Sequence, residues 1–553
     1  MVCEELATDK AGTRGYSALA RLARTCRWMY EPSMDALWYN LNDIAPLLWC
    51  FPQDVWDGSK EREHCGGSWF RFEAETAKEG VRASSRHSPR VSTEPTLVIP
   101  QKLGRALLPS DWTRFLHHAA RVRSLGVLDT FTRHRFTQPN LLGQIYCALD
   151  AAKPRDCLLP NLRRLHWQDN EHLSYIHIFL SPSISNLSIV LPLRPTIADQ
   201  SVLLALYSSP NITRFRLSVE ARIRRMHPKD FPDISHALKD FVSSWTQLRV
   251  LDIPDTHFNT ASLVHVARLP NLDDISARLG QDIDFSCLKA PIFPALRRLN
   301  VFCDGVATCQ ALLMTSQTWA LRTLEVMLGT GYLDSEQSIE SFFISLQSQL
   351  SHDALRYIGL YNDDAPVASN YHLLHLATLA PLFSFTSLHI LQISTPHSFD
   401  LTNEDLRKIA EAWAHLELLC LGNAGWGAPS KVTPLGLATL FNKCPRLRAL
   451  SIAIDASIID IQLDAIAVMK PNTSLVQLNM QDSRIGDEQM MAAYMFHLVP
   501  NLNYITSWMY GAGRGYEDVS QEEIGDFANR WSQALTTMSD RKREEKNLRA
   551  QIS

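Results

Sequence analysis

The chain has 553 residues, of which 46% are hydrophobic and 20% charged, and its net charge is −4. Dividing the length by ~150 allows roughly three or four domains, or one long repeat array. This composition excludes global disorder, and the charge balance gives no whole-chain electrostatic case for nucleic-acid binding. No apolar run approaches the ~18 residues of a membrane span. The first residues, Met1 to Leu6, include Glu4 and Glu5 and lack the apolar core of a secretory signal. Eleven cysteines occur and none forms C-x-x-C. The expectation is free thiols in a reducing compartment, cytoplasmic or nuclear.

In chain order, the first fifty residues hold two short helical patterns. Leu19, Leu22, Ala23 and Cys26 share one face, and Met34, Leu37, Trp38 and Leu41 share another. Glu31-Pro32 lies between them, with Pro32 suited to a first helical position. Helices this short need a packing partner. Residues 57–95 are rich in Gly, Ser, Lys, Arg and Glu and read as a flexible loop. The expected division is a helical unit over 1–50, a linker over 51–95, a repeat array over 96–510 and a C-terminal cap over 511–553.

Leucine accounts for 75 residues, and much of it follows one pattern, apolar-x-x-apolar-x-apolar. The plainest copies start at Leu162, Leu248, Leu296, Leu321, Leu355, Leu388, Leu416, Leu447 and Leu475, with weaker ones at Val122, Ile184, Ile212, Leu272 and Leu502. Neighbouring starts lie 22 to 40 residues apart. Their mean is about 29, at the upper end of the leucine-rich-repeat period. Pro160-Asn161, Pro210-Asn211, Pro270-Asn271 and Pro500-Asn501 each stand just before a copy. Proline stops a helix and biases its predecessor toward extended geometry, so the chain reads as helix, stop, short strand, repeated. In one unit Thr402 and Asp405 form a capping-box pair. Leu406, Ile409, Ala410 and Trp413 then face inward, and Leu416, Leu419 and Leu421 supply the strand. The next unit starts at Thr433-Pro434, with Leu437, Leu440, Phe441 and Cys444 inward. Stacking such units buries a continuous core and aligns the strands in parallel. The predicted fold is therefore an α/β leucine-rich-repeat solenoid, a curved parallel sheet on the concave side with helices outside.

After the last copy, Tyr510 to Tyr516 reads as a glycine-rich hinge. A helix opens at Ser520 with Glu523 three residues on and runs through Phe527, Trp531 and Leu535. The charged run Asp540 to Lys546 is expected to be solvated and frayed. The helix would cover the open end of the array.

Leu19, Leu22, Cys26, Glu31-Pro32, Asp35, Leu37, Trp38 and Leu41 resemble the second half of an F-box. The closest likeness is to fungal, mushroom-type F-box proteins with irregular leucine-rich repeats. Pro46, Phe51-Pro52, Trp112 and Phe115 fit the same style. The usual opening Leu-Pro-x-Glu helix has no counterpart in Glu4 to Gly12, so the F-box is truncated or degenerate. The resemblance implies a substrate adaptor of a Skp–cullin ubiquitin ligase, with Leu19, Leu22, Cys26, Leu37 and Trp38 on the Skp-type adaptor. The alternative is a repeat scaffold outside any ligase.

Phosphate-loop, zinc-helix and nucleophile-elbow motifs are absent from the sequence. Gly511, Gly513 and Gly515 do not open a strand–helix dinucleotide unit, and Cys303 and Cys309 lack the further ligands of a zinc site. The expectation is a non-enzymatic protein without cofactor or metal, binding a protein target and neither nucleic acid nor membrane. Strand alternation sends the third, fifth and seventh positions of each copy out of the sheet. This nominates Arg164, His166 and Gln168, then Asn300, Ile390, Gln477 and Gln481. The candidate target-binding residues are Arg298, Phe302, Tyr357, Tyr361, Gln392, Asn479, Tyr504 and Trp508, since aromatic and Arg side chains dominate binding hot spots. Tyr504 and Trp508 have a competing assignment, packing beneath the C-terminal helix.

Overall fold

The computed structural model describes residues 13–56, 103–127, 139–192, 202, 206, 209–219, 244–280, 282–289, 291–315, 318–329, 334–362, 373–422, 425–427, 430–508 and 519–552. The expected linker beyond residue 56 and the glycine-rich stretch 510–516 lie outside these. The chain forms two compact units: Met1–Ala221 with His236–Leu248, and Arg222–Ser235 with Arg249–Ser553.

Each unit is a leucine-rich-repeat stack of parallel strands in sequence order. In unit 1 the order is Asn40–Leu41, Ser124–Val127, Arg164–Trp167, Asn186–Leu191 and Arg214–Val219. In unit 2 it runs from Val250–Phe258 through Asp274–Leu279, Arg298–Cys303, Thr323–Leu328, Tyr357–Tyr361 and Ile390–Ser394. It continues through Leu418–Leu421, Ala449–Ser451 and Gln477–Asn479 to Tyr504–Thr506. All fourteen copies seen in the sequence form a strand, and each strand begins two residues after its copy does. The reason is visible in the backbone. The second residue of a copy donates its N–H to the carbonyl of the second residue one copy earlier, as Arg297 does to Asp273 (2.8 Å), Arg322 to Arg297 (2.7 Å) and Arg356 to Arg322 (2.9 Å). The ladder then continues from the third residue onward.

Alternation places the core. Strand Arg298–Cys303 alternates outward and buried residues, and Thr323–Leu328 does the same. Helix Val306–Leu313 packs on the buried face of these two strands. Helix Asn403–Ala412 is capped as expected, Thr402 and Asp405 exchanging bonds with each other's backbone N–H. Leu406, Ile409, Ala410 and Trp413 are buried. The Pro-Asn dipeptides have a second role. Asn161 Nδ2 donates to Ala120 O, Asn211 Nδ2 to Pro182 O and Asn501 Nδ2 to Thr473 O, at 2.8 to 2.9 Å. Each asparagine thereby ties its copy to the one before.

Three expectations need correction. The sheet starts before residue 96: Asn40–Leu41 pairs with Ser124 and Leu125, and Leu47, Leu48, Phe51, Val55 and Trp56 are buried. Residues 13–56 are thus built into unit 1, because Leu41 has an apolar neighbour strand to pair with. Pro32 does not start a helix. Helix Arg27–Tyr39 passes through it, without the hydrogen bond that a proline has no N–H to make. The charged run near the C-terminus is helical, since Gln521–Ile552 is continuous, and Ser520 and Glu523 cap it as expected.

Candidate protein-binding surface

The face of each sheet turned away from the helices carries the outward positions. In unit 2 the register aligns Asp274, Arg298, Thr323, Tyr357 and Ile390 in one row. The next row holds Ser276, Asn300, Glu325, Gly359, Gln392 and Cys420. Arg278, Phe302, Met327, Tyr361 and Ser394 make the third. Five nominated residues therefore share this face on three strands, Arg298 and Phe302 on the first, Tyr357 and Tyr361 on the second and Gln392 on the third, with Thr323–Leu328 lying between the first two.

Gly359 decides their geometry. A Cβ there would lie 2.5 Å from Tyr361 Cε2 and 3.0 Å from Tyr357 Cε1. With no side chain in the way, the two rings close over the strand, their hydroxyls bond to each other, and Tyr361 donates to Gln392 Oε1 at 3.2 Å. Arg298 makes a 2.6 Å ion pair with Asp274. The guanidinium of Arg278 lies 5.4 Å above the Phe302 ring, a cation–π contact. Burial raises the carboxyls of Asp274 and Glu325 above the usual carboxylate range, with Arg298 partly opposing the shift. Such half-buried polar and aromatic groups lose water readily to a partner that supplies matching bonds. Asp274 and Glu325 were not nominated. Glu325 is the fifth residue of the Leu321 copy, so position alone could have found it, but its neighbours are set by register across strands.

The remaining nominations separate. Asn479 lies on the same face, and its side chain accepts the Gln481 N–H at 3.1 Å. Tyr504 is 56% exposed. For Trp508 the competing assignment holds and its place on the target surface is corrected: it is 7% exposed, stacks on Phe527 of the C-terminal helix and donates from Nε1 to Ser483 O at 2.9 Å. Gln481 is corrected as an outward residue, being buried and donating to Leu421 O, Gly422 O and Ser451 Oγ. The cause is common to both. Strands Gln477–Asn479 and Tyr504–Thr506 end at the fifth position of their copies, and Gln481 and Trp508 take positive φ of 45° and 51°. Alternation stops where the strand stops, so the seventh position turns inward.

At the N-terminal helices, Leu19 is fully buried, Leu22, Leu37 and Trp38 are half-buried and Cys26 is exposed. Trp38 stacks on His118 at 4.2 Å. Arg121 holds Glu31 and Asp35 of the same helix. Leu19 is thus spent on internal packing, which corrects its assignment to the adaptor surface, and Trp38 gives one side of its ring to His118. The exposed apolar side chains are instead Trp28, at 91%, with Met29 and Tyr30. They went unnoticed because they interrupt the periodic face that the sequence displays.

The described cysteines are free. Burial pushes the thiols of Cys303 and Cys444 up to about 12, which suits packing rather than nucleophilic chemistry. Among the described residues no group of His, Cys, Asp or Glu is placed to hold a metal ion, and no helix is long and apolar enough to cross a membrane.

No protein-family model matches the chain, and no curated protein matches its sequence. Among solved structures it is similar to an internalin (inlF) from Listeria monocytogenes, at 13% identity over 63% of this chain and 81% of that one, with a TM-score of 0.33. The plant peptide hormone receptor RGFR1 in complex with RGF2 matches at 12% identity over 71% of this chain and 64% of the receptor, with a TM-score of 0.30. TLR13 in complex with ssRNA13 matches at 15% identity, over 70% of this chain and 51% of that one, with a TM-score of 0.31. The chain spans less than two thirds of the latter two.

Proposed function

We propose that this chain is a protein-binding scaffold that grips a protein target through the open sheet face of unit 2. The Tyr357–Tyr361 pair closed over Gly359, with Arg298 and Gln392 beside it, carries this reading. Two rings whose hydroxyls are already oriented cost little further ordering on binding, and tyrosine and arginine are the side chains most often found as anchors. In the finer form of the proposal, the scaffold is the substrate-recruiting subunit of a Skp–cullin ubiquitin ligase. Helices Thr13–Ala23 and Arg27–Tyr39 would dock the Skp-type adaptor through Trp28, Met29 and Tyr30. The ligase chemistry would belong to other subunits.

The scaffold without a ligase is the second reading, favoured by the burial of Leu19 and the stacking of Trp38 on His118. Purified Skp-type adaptor separates the two. Capture by the full chain that is lost in W28A/Y30A supports the ligase subunit, and no capture leaves the scaffold alone. The target surface is tested by quantitative affinity purification with the full chain and the Y357A/Y361A variant. Partners that depend on the pair are expected to be depleted, whereas an unchanged set would remove unit 2's face from the function.

A further inference from the structure

The outward rows of unit 2 carry three carboxylates, Asp252, Asp274 and Glu325, and two guanidiniums, Arg278 and Arg298. Both cations are committed. Arg298 is paired with Asp274, and Arg278 lies over the Phe302 ring in the field of Asp255 and Asp304. Glu325 is half-buried, and among the described residues its carboxylate has no ion pair and no hydrogen bond. Burial and Asp274 raise that carboxyl, with Arg298 opposing less strongly. Register sets Glu325 between Asn300 on one neighbouring strand and Gly359 on the other, each about 4.8 Å away. Asn300 Oδ1 is buried and accepts no hydrogen bond from the described residues. Gly359 brings no side chain, and the rings of Tyr357 and Tyr361 close over it from either side. Burial first, and the Glu325 charge with it, raise both phenols, which keeps them neutral beside the carboxylate.

We propose that the middle row of this face, at Asn300 and Glu325 beside the Tyr357–Tyr361 pair, receives a lysine or arginine side chain of the protein target. A carboxylate that has lost water without gaining a cation is destabilised, and a partner's cation removes that penalty. Ammonium and guanidinium groups are donors only, so they match both the carboxylate and the orphaned Asn300 oxygen. Aromatic rings attract the same charge, and the two tyrosines stand next to Glu325. An acidic segment or a nucleic acid would instead bring like charge against Asp252, Asp274 and Glu325. The inference rests on the reading of unit 2's face as the target surface and adds the charge of the side chain that the face takes.

Fluorescence anisotropy with the purified full chain tests it, using labelled peptides that alternate Ser with Lys, Arg or Glu. A cationic peptide is expected to bind, to weaken with added salt, and to bind about tenfold more weakly to E325Q. The tighter of the two cationic peptides names the head group. E325Q keeps the shape of the side chain and removes its charge, and an undiminished thermal melt verifies that it folds. E340Q removes the same charge from helix Glu336–Gln349, which packs beside helix Val306–Leu313 behind the sheet, and is expected to bind as the parent chain does. No binding by either cationic peptide, full retention in E325Q, equal loss in E340Q, or tighter capture of the Glu–Ser peptide would each overturn the inference. Affinity purification separates it from the wider reading. A partner set depleted in Y357A/Y361A but unchanged in E325Q removes the cation site alone, whereas a set unchanged in Y357A/Y361A removes the face and the site with it.

Discussion

Units 1 and 2 share one backbone ladder and one kind of core but differ in the spacing of their copies and in what their outward rows carry. Starts in unit 1 are as far as 40 and as close as 22 residues apart, whereas those from Leu248 onward stay between 24 and 34. Both units bury rings behind the strands: Phe51, Trp112 and Phe115 lie within 5.1 Å of one another in unit 1, and Trp413 and Trp426 are buried in unit 2. Both bury aliphatic strand residues as well, Leu187 and Ile189 in the first and Leu391 and Ile393 in the second. The core therefore tolerates uneven connections without a change of chemistry. The outward rows are not constrained by that core, and they diverge: Arg164, Asn186 and Arg214 share a row in unit 1, and Asp274, Arg298, Thr323 and Tyr357 share one in unit 2.

The largest effects should come from the two cores. Trp112→Ala should cost about 3–5 kcal/mol and Leu419→Ala about 2–5 kcal/mol. Denaturant melts read by hydrogen exchange should show protection lost in 109–127 for the first and in 390–421 for the second. Loss in both units from either change would break the comparison.

Acidification should act on His118 in unit 1 and on Glu325 in unit 2 in opposite directions. His118, stacked on Trp38, has its pKa lowered to about 4 by burial and by His117, Arg114 and Arg121. Its unfolded value is near 6.5, so the unfolded chain binds more protons between the two. Unit 1 should therefore be stable above about 6.5 and lose up to about 3 kcal/mol as pH falls to about 4. Trp38 fluorescence should report the loss, and His118→Phe should flatten it. Glu325 in unit 2 has a raised value. Its contribution is greatest when protonated and is lost as pH rises through the folded value. A unit 1 melt that is flat over this range would remove the contrast.

A smaller effect is specific to unit 2. Asp455–Ala456 pairs with Arg484–Ile485 in a short second ladder. At Gly486 an added Cβ would stand 2.1 Å from the Ser457 carbonyl oxygen. That atom is backbone and cannot swing away, so Gly486→Ala should cost about 1–3 kcal/mol, measured by thermal melt. The smallest effect should be shared. Asn161→Ala in unit 1 and Asn501→Ala in unit 2 each remove one bond to the preceding copy, worth about 1 kcal/mol. Unequal losses in paired melts would show that the asparagine ties do not play the same part in both units.

The strand starts, the Thr402 and Ser520 caps and the inward residues of helix Asn403–Ala412 were all legible in the sequence. Each depends on the chemistry of a few consecutive residues: the apolar period, the proline stop and the capping hydroxyl. The positions Arg298, Phe302, Tyr357, Tyr361 and Gln392 were legible as outward residues for the same reason. Their assembly into one surface was not. It depends on which strands are neighbours, and on Gly359 leaving room for two rings from its own strand. Strand Asn40–Leu41 was equally hidden, because two residues carry no periodic signal and only the edge of Ser124–Val127 makes them a strand. Trp38 shows the same limit. An isolated pattern marks a side chain as apolar and able to anchor, and only the folded chain brings His118 to it. For Trp508 the sequence offered both an outward place and one beneath the C-terminal helix, and the stacking on Phe527 decided between them. Local periodicity thus determined the repeating elements by itself, whereas contacts between residues distant in sequence decided which of their side chains remain open to a partner.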